Sequence, residues 1–331
     1  MEARTNARSR GRRKPVQNYV IYKEKNKQNV LSCACSLITH TMQMTKGNNN
    51  LLVYMDEMLH SIFFLGYIHY PRLAPERFFQ KPETIKNLRN MFPGPFEQYR
   101  SHLPTRTPFS ILLDMMKIIH QTEERIIAEL VILLNNLKFP IPLHKSGNIY
   151  EQFYTLESTV ICVCYSDSDP ERYYGASLCC RKGNSKTIMI DVSCLRTWHD
   201  LVSHAVMSFC SGGRGDGITF PKSVKCQAYI RGSNGYTEKR PCSKCHQLFN
   251  LNNADQNEAK HPYGNCAEAE CFSKLLMENQ QIRENTRIDN HTEEKLQNLR
   301  RSTKARLIKQ LQNVGIQINN DFHFYSTNTH G

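Results

Sequence analysis

Arg240-Pro241-Cys242-Ser243-Lys244-Cys245, followed after a polar interval by Tyr263-Gly264-Asn265-Cys266-Ala267-Glu268-Ala269-Glu270-Cys271, is the stretch that decides how this chain is read. Two cysteines stand three positions apart, close enough on one helical turn to grip a single metal ion. A third cysteine is followed two residues later by a glutamate. Three thiolates with a carboxylate beside them point to a working metal, because a closed structural zinc takes four protein ligands and a catalytic one keeps a position for water. Both motifs open helices, one running to Leu248 and Phe249, the other through Phe272, Leu275, Leu276 and Met277. The positive end of a helix dipole favours thiolate over thiol.

Upstream of this stretch the pattern alternates. Thr159 to Tyr165 is short, β-branched and aromatic, which predicts a strand. Tyr174 to Cys180 and Lys186 to Val192 are further strand candidates, separated by a turn at Arg181-Lys182-Gly183-Asn184-Ser185. A helix starting near Thr197 or His199-Asp200 carries Leu201, Val202, Ala205, Val206 and Phe209 and stops at Gly212-Gly213. Val224 to Ile230 predicts one more strand. Gly212-Gly213-Arg214-Gly215-Asp216-Gly217 lacks the Gly-Lys-Ser/Thr ending of a phosphate loop and reads as a flexible loop.

Further out, residues 1–28 hold Arg4, Arg8, Arg10, Arg12, Arg13 and Lys14 among polar residues and read as a disordered basic arm. Leu51, Leu52, Met55, Met58, Leu59, Ile62 and Phe63 recur at helical spacing. Prolines punctuate 71–108, so short helices and loops are expected there. Thr107-Pro108 opens a long helix whose buried face is Ile111, Leu112, Met115, Ile118, Ile119, Ile126, Leu130 and Leu133, ending before Pro140-Ile141-Pro142. The last helix runs from Thr292 to Asn313, with Glu293 and Glu294 early and a basic face of Arg300, Arg301, Lys304, Arg306 and Lys309. The expected organisation is an arm over 1–28, an all-helical domain over 29–145, a zinc-binding α/β domain over 146–290 and a basic helix and tail over 291–331.

The chain has 331 residues, a formal net charge of +13 and 13 cysteines. The charge favours an anionic partner, nucleic acid or nucleotide first. The cysteines are scattered and often sit inside apolar runs, which is how reduced intracellular thiols look rather than a secreted disulfide framework. No apolar run approaches the length of a membrane span, so no membrane partner is expected and a cytoplasmic or nuclear location is. The helical region could also carry a protein-binding surface.

Strand, strand, helix, strand and a Pro-Cys-x-x-Cys helix, in that order, resemble the cytidine deaminase superfamily. Pro241-Cys242-Ser243-Lys244-Cys245 matches one family motif and Cys266-Ala267-Glu268 the other. The resemblance implies a deaminase-like mixed sheet packed with helices, and a zinc held by the Cys-x-x-Cys pair and a further His or Cys. It implies that Glu268 is the catalytic proton shuttle for hydrolytic deamination of a nucleobase, possibly in nucleic acid. In the family the Ala-Glu triplet precedes Cys-x-x-Cys, whereas here it follows. At the earlier place stands Ser203-His204-Ala205-Val206, with valine where the glutamate belongs.

Three ligand sets are open at this point. Cys242, Cys245 and Cys266 hold zinc with Glu268 beside them; or His204, Cys242 and Cys245 do, in a catalytically inactive domain; or all four close a structural site, in a module that binds nucleic acid or protein. His246 reads as a surface histidine, Cys271 as a core cysteine, Glu270 as a solvated carboxylate and Trp198 as a core anchor.

Overall fold

The computed structural model describes residues 14–69, 71–137, 156–180, 184–212, 215–232, 235–255, 257–317 and 321–327. The arginines of 4–13, the Pro140-Ile141-Pro142 stop, the turn residues 181–183 and Gly213-Arg214 lie outside them. The chain is mixed α and β, rich in helix with a small sheet.

The N-terminal half is helical. α1 spans Lys14–Met44 and α2 Leu52–Tyr67, so residues 14–28 belong to a helix rather than to the disordered arm expected. Short helices α3 (Pro82–Met91) and α4 (Pro93–Gln98) each begin on proline, whose fixed φ suits the first turn. The single long helix expected after Thr107 is two: α5 (Pro108–His120) and α6 (Glu123–Asn136). Gln121 takes a left-handed conformation with φ 57°, and the Thr122 side chain then accepts a hydrogen bond from the Arg125 amide to cap α6. Ile118 and Ile119, expected in the buried face, are exposed near the end of α5. A two-residue strand β1 (His102–Leu103) pairs in parallel with the C-terminal β8 (His323–Phe324). There the Tyr325 hydroxyl donates to Asp56, and its ring stacks on His60.

The sheet has four strands in the order β3-β2-β5-β6. These are β2 (Val160–Ser166), β3 (Asp169–Ala176), β5 (Val224–Gly232) and β6 (Gly235–Lys239), all antiparallel to their neighbours. β3 overlaps the expected Tyr174–Cys180 segment only at Tyr174–Ala176 and begins five residues earlier, and β6 forms a hairpin with β5 that the sequence does not announce. Lys186 to Val192 is not a strand but part of α7 (Asn184–Val192), continued by a π-helical turn over Ser193–Thr197. A short apolar run cannot be told from a buried helix by periodicity alone. What fixes the helix is its packing: Ile188, Met189 and Val192 are buried, and the fully buried Asp191 carboxylate accepts two hydrogen bonds from Arg306.

Next come α8 (Asp200–Cys210), a short strand β4 (Ile218–Thr219), and after the sheet α9 (Ser243–Phe249), α10 (Ala267–Glu278), α11 (Gln280–Asn285) and β7 (Arg287–Ile288), which pairs with β4. α12 (Glu293–Asn313) closes the chain's helical part.

Alternation along β2 divides the core in two. Ile161 and Val163 join a cluster built mainly from α1, α2, α5, α6, α7 and α12. Cys162 and Cys164, on the opposite face, join α8, α9 and α10. The sheet is thus packed between the helical half and the helices that carry the metal motifs.

Candidate metal centre

α9 and α10 bring the expected motifs together. Cys242 is the N-cap of α9 and Cys245 lies in its first turn; Cys266 is the N-cap of α10 and Glu268 follows in its first turn. The segment joining the helices is tied to α9 along its length. Asp255 donates its amide to the Pro241 carbonyl, Ala259 donates its amide to the Ser243 hydroxyl, and the Tyr263 hydroxyl donates to Gln247. Gly264 ends the segment at φ 80°, where an added Cβ would stand 2.8 Å from a Val206 methyl. Only glycine fits both the left-handed backbone and the close approach. Val206, in the position where the deaminase resemblance would want a glutamate, is therefore a packing residue for this turn.

The thiols of Cys242, Cys245 and Cys266 lie within 4.8 Å of one another. Cys242 Sγ is 3.6 Å from Cys245 Sγ and 3.5 Å from Cys266 Sγ. A tetrahedral ion with zinc–sulfur bonds of about 2.3 Å spaces its sulfurs about 3.8 Å apart, so this donor set fits zinc. Contacts with the other two thiols hold Cys242 well below the ordinary thiol range, while Cys245 and Cys266 are pushed up, first by their contacts with Cys242. Glu268 is 4% exposed, and its carboxyl reaches the Cys245 thiol. Burial is the main cause that pushes its pKa up to about 7.

His204 is not in this group. Its Nε2 is 3.0 Å from an Asp216 carboxylate oxygen and its Nδ1 is 2.9 Å from His291 Nδ1, so both ring nitrogens are engaged away from the three thiols. Burial lowers its pKa. A different histidine stands by the cysteines. His261 is half-buried, with its ring nitrogens 3.7 and 3.8 Å from Cys266 Sγ, and its carbonyl accepts from Lys244. Its place five residues before Cys266 is the signal that the sequence carries for it.

A second group was not anticipated. Cys162, Cys164 and Cys271 also have thiols within 4.8 Å of one another, and all three are buried. Two three-cysteine groups able to hold a metal ion therefore share α10.

Glu270 is buried rather than solvated: it accepts from the Ser110 hydroxyl and the Ala176 amide and pairs with Lys274. It lines a cavity of about 810 Å³ together with Glu57, Arg106, Asp114 and Lys274, whose charges are mutually paired. His246 is exposed and Trp198 is a core residue, as expected. The basic face of α12 is largely spent on ion pairs: Arg300 with Asp200, Lys304 with Asp321, and Arg306 with Asp191.

Comparisons with family models, with curated proteins and with solved structures find no match to this chain. Among the described residues, no helix is long and apolar enough to cross a membrane.

Proposed function

We propose that this chain is a zinc-dependent hydrolase of the deaminase type, acting on a cytosine- or adenine-type base, free or within nucleic acid. The observation that carries the reading is the meeting of three thiols from two helices with the Glu268 carboxyl at Cys245. Cys242, Cys245 and Cys266 would hold the ion. A zinc bound there would supply a water acidic enough to ionise near neutral pH. Glu268 would give a proton to the ring nitrogen of a base and then to the departing amine. The net charge of +13 supports the same reading for a phosphate-bearing substrate.

The test is ammonia release from cytidine, adenosine and single-stranded oligonucleotides by the zinc-loaded chain. Glu268→Gln should cut the rate by about 10²–10⁴-fold, the usual share of a general acid–base group, with the metal content unchanged. If the unmutated chain releases no ammonia from any of these, the enzyme reading fails.

His261 favours a second reading. A ring nitrogen lies 3.7 Å from Cys266 Sγ, near enough for the imidazole to turn in as a fourth donor, and four donors make a closed structural zinc. The protein is then a zinc-stabilised module that binds nucleic acid or another protein. His261→Ala separates the two, since it removes the metal only if the imidazole is a ligand.

A further inference from the structure

We propose that Cys162, Cys164, Cys226 and Cys271 form a second metal site, a closed tetrathiolate that takes one zinc-class ion and fixes α10 to the sheet.

Cys162 and Cys164 are alternate residues of β2, so their side chains leave the same face of the sheet. Cys226 of β5 lies directly opposite Cys164 in the register, on that same face. Cys271 comes down onto it from the second turn of α10. Cys162 Sγ is 3.9 Å from Cys164 Sγ and 3.3 Å from Cys226 Sγ. These two spacings lie near the roughly 3.8 Å edge of a four-sulfur zinc tetrahedron. Cys162, Cys164 and Cys271 already lie within 4.8 Å of one another, and the Cys226 side chain, outside that mutual distance, turns in to complete the four.

A second observation shows that the approach of α10 is built in. Gly175 of β3 pairs with Cys162 and faces the helix. A Cβ there would lie 2.3 Å from the Ala267 carbonyl oxygen and 2.6 Å from the Cys271 amide nitrogen. Glycine removes the spacer that would hold Cys271 away from the two β2 thiols. The Cys271 thiol now donates to the carbonyls of Tyr173 and Cys162, a weak use for a buried S–H and one that an ion replaces.

The chemistry balances without a redox step. One divalent ion binds four thiols, four S–H bonds break, four metal–sulfur bonds form, and four protons leave to solvent. Cys226 is partly exposed while the other three are buried, which gives the ion an entry path. This site has sulfur donors only and no position for water, so its role is to brace. What it braces is α10, the helix that also carries Cys266 and Glu268.

The experiment is a metal count on the full chain, purified from zinc-supplemented medium and desalted. The expected result is two zinc ions per chain, one in Cys226→Ala and one in Cys242→Ser, with the double variant holding none. Cobalt loading should show thiolate-to-cobalt charge transfer in each single variant. One zinc per chain that disappears in Cys242→Ser but persists in Cys226→Ala overturns the proposal and leaves the first centre standing. The reverse pattern removes the first centre and leaves this one. If Cys226→Ala does not fold, stepwise mercurial titration of the unmutated chain decides: release of two ions supports the site and release of one overturns it. An iron–sulfur chromophore in the purified chain also overturns it, since the site would then hold a cluster and not a single ion.

Discussion

The two cysteine groups share α10 but differ in what surrounds the sulfur. The group of Cys242, Cys245 and Cys266 sits where two helices begin, is half open to solvent, and has an imidazole and a carboxyl for neighbours. The group of Cys162, Cys164 and Cys271 is embedded against the sheet, with more sulfur and backbone carbonyls around it. The difference teaches what each can do. Proton transfer needs a titratable group beside the metal, and the first group has Glu268 there. The second can contribute rigidity and little else.

That contrast can be broken by substitution. The largest effect is expected from Cys245→Ser, which removes a fully buried donor; zinc at the first centre should be lost and any deaminase activity with it, while the metal of the second group stays, as read by metal analysis. Gly175→Val comes next. Its side chain would press on the Ala267 carbonyl and the Cys271 amide, and an overpacked site of this kind costs about 1–3 kcal/mol. Urea unfolding should show that loss, and metal affinity should fall at both groups because both depend on where α10 lies. Affinity lost at only one of them would show that the groups are not coupled through the helix.

His261→Ala is expected to do less. With His261 outside the ligand set, zinc stoichiometry holds and affinity drops by about tenfold, as for groups that support a ligand from behind; complete loss of the ion would make the first centre closed, like the second. The smallest effect should come from Arg300→Ala. Its pair with Asp200 is partly exposed, exposed pairs are worth no more than about 1 kcal/mol, and neither metal site should respond in the same unfolding and metal measurements.

How much of this the sequence discloses depends on whether the information is local. Helices α8, α9, α10 and α12 are marked by residues at their own ends, such as the capping Thr292 side chain that accepts from the Lys295 amide. Strands β2 and β5 are marked by their composition. The first cysteine group is legible for the same reason, because Cys242 and Cys245 are one turn apart. Lys186 to Val192 misleads because its apolar residues are buried on more than one side, and only the distant Arg306 tells what Asp191 is for. His204 misleads in the opposite way. It lies on the expected helix, yet its partners are Asp216 and His291, brought in from a loop and from the start of the last helix. The second cysteine group is only half local, since Cys162 and Cys164 alternate on one strand but Cys271 is separated from them by most of the α/β half of the chain.

The alternation of β2 carries a consequence for how the molecule is assembled. Ile161 and Val163 face one core, Cys162 and Cys164 the other. Slipping the strand by one residue would turn both thiols into the helical half and offer two hydrocarbon side chains to Cys226 and Cys271. Such a misaligned sheet has no means of gripping an ion. Metal capture at the proposed second site would then act as a proofreading step for strand register: of the alignments the central strand can sample while the chain collapses, the ion would reward only the one in which every helix can dock.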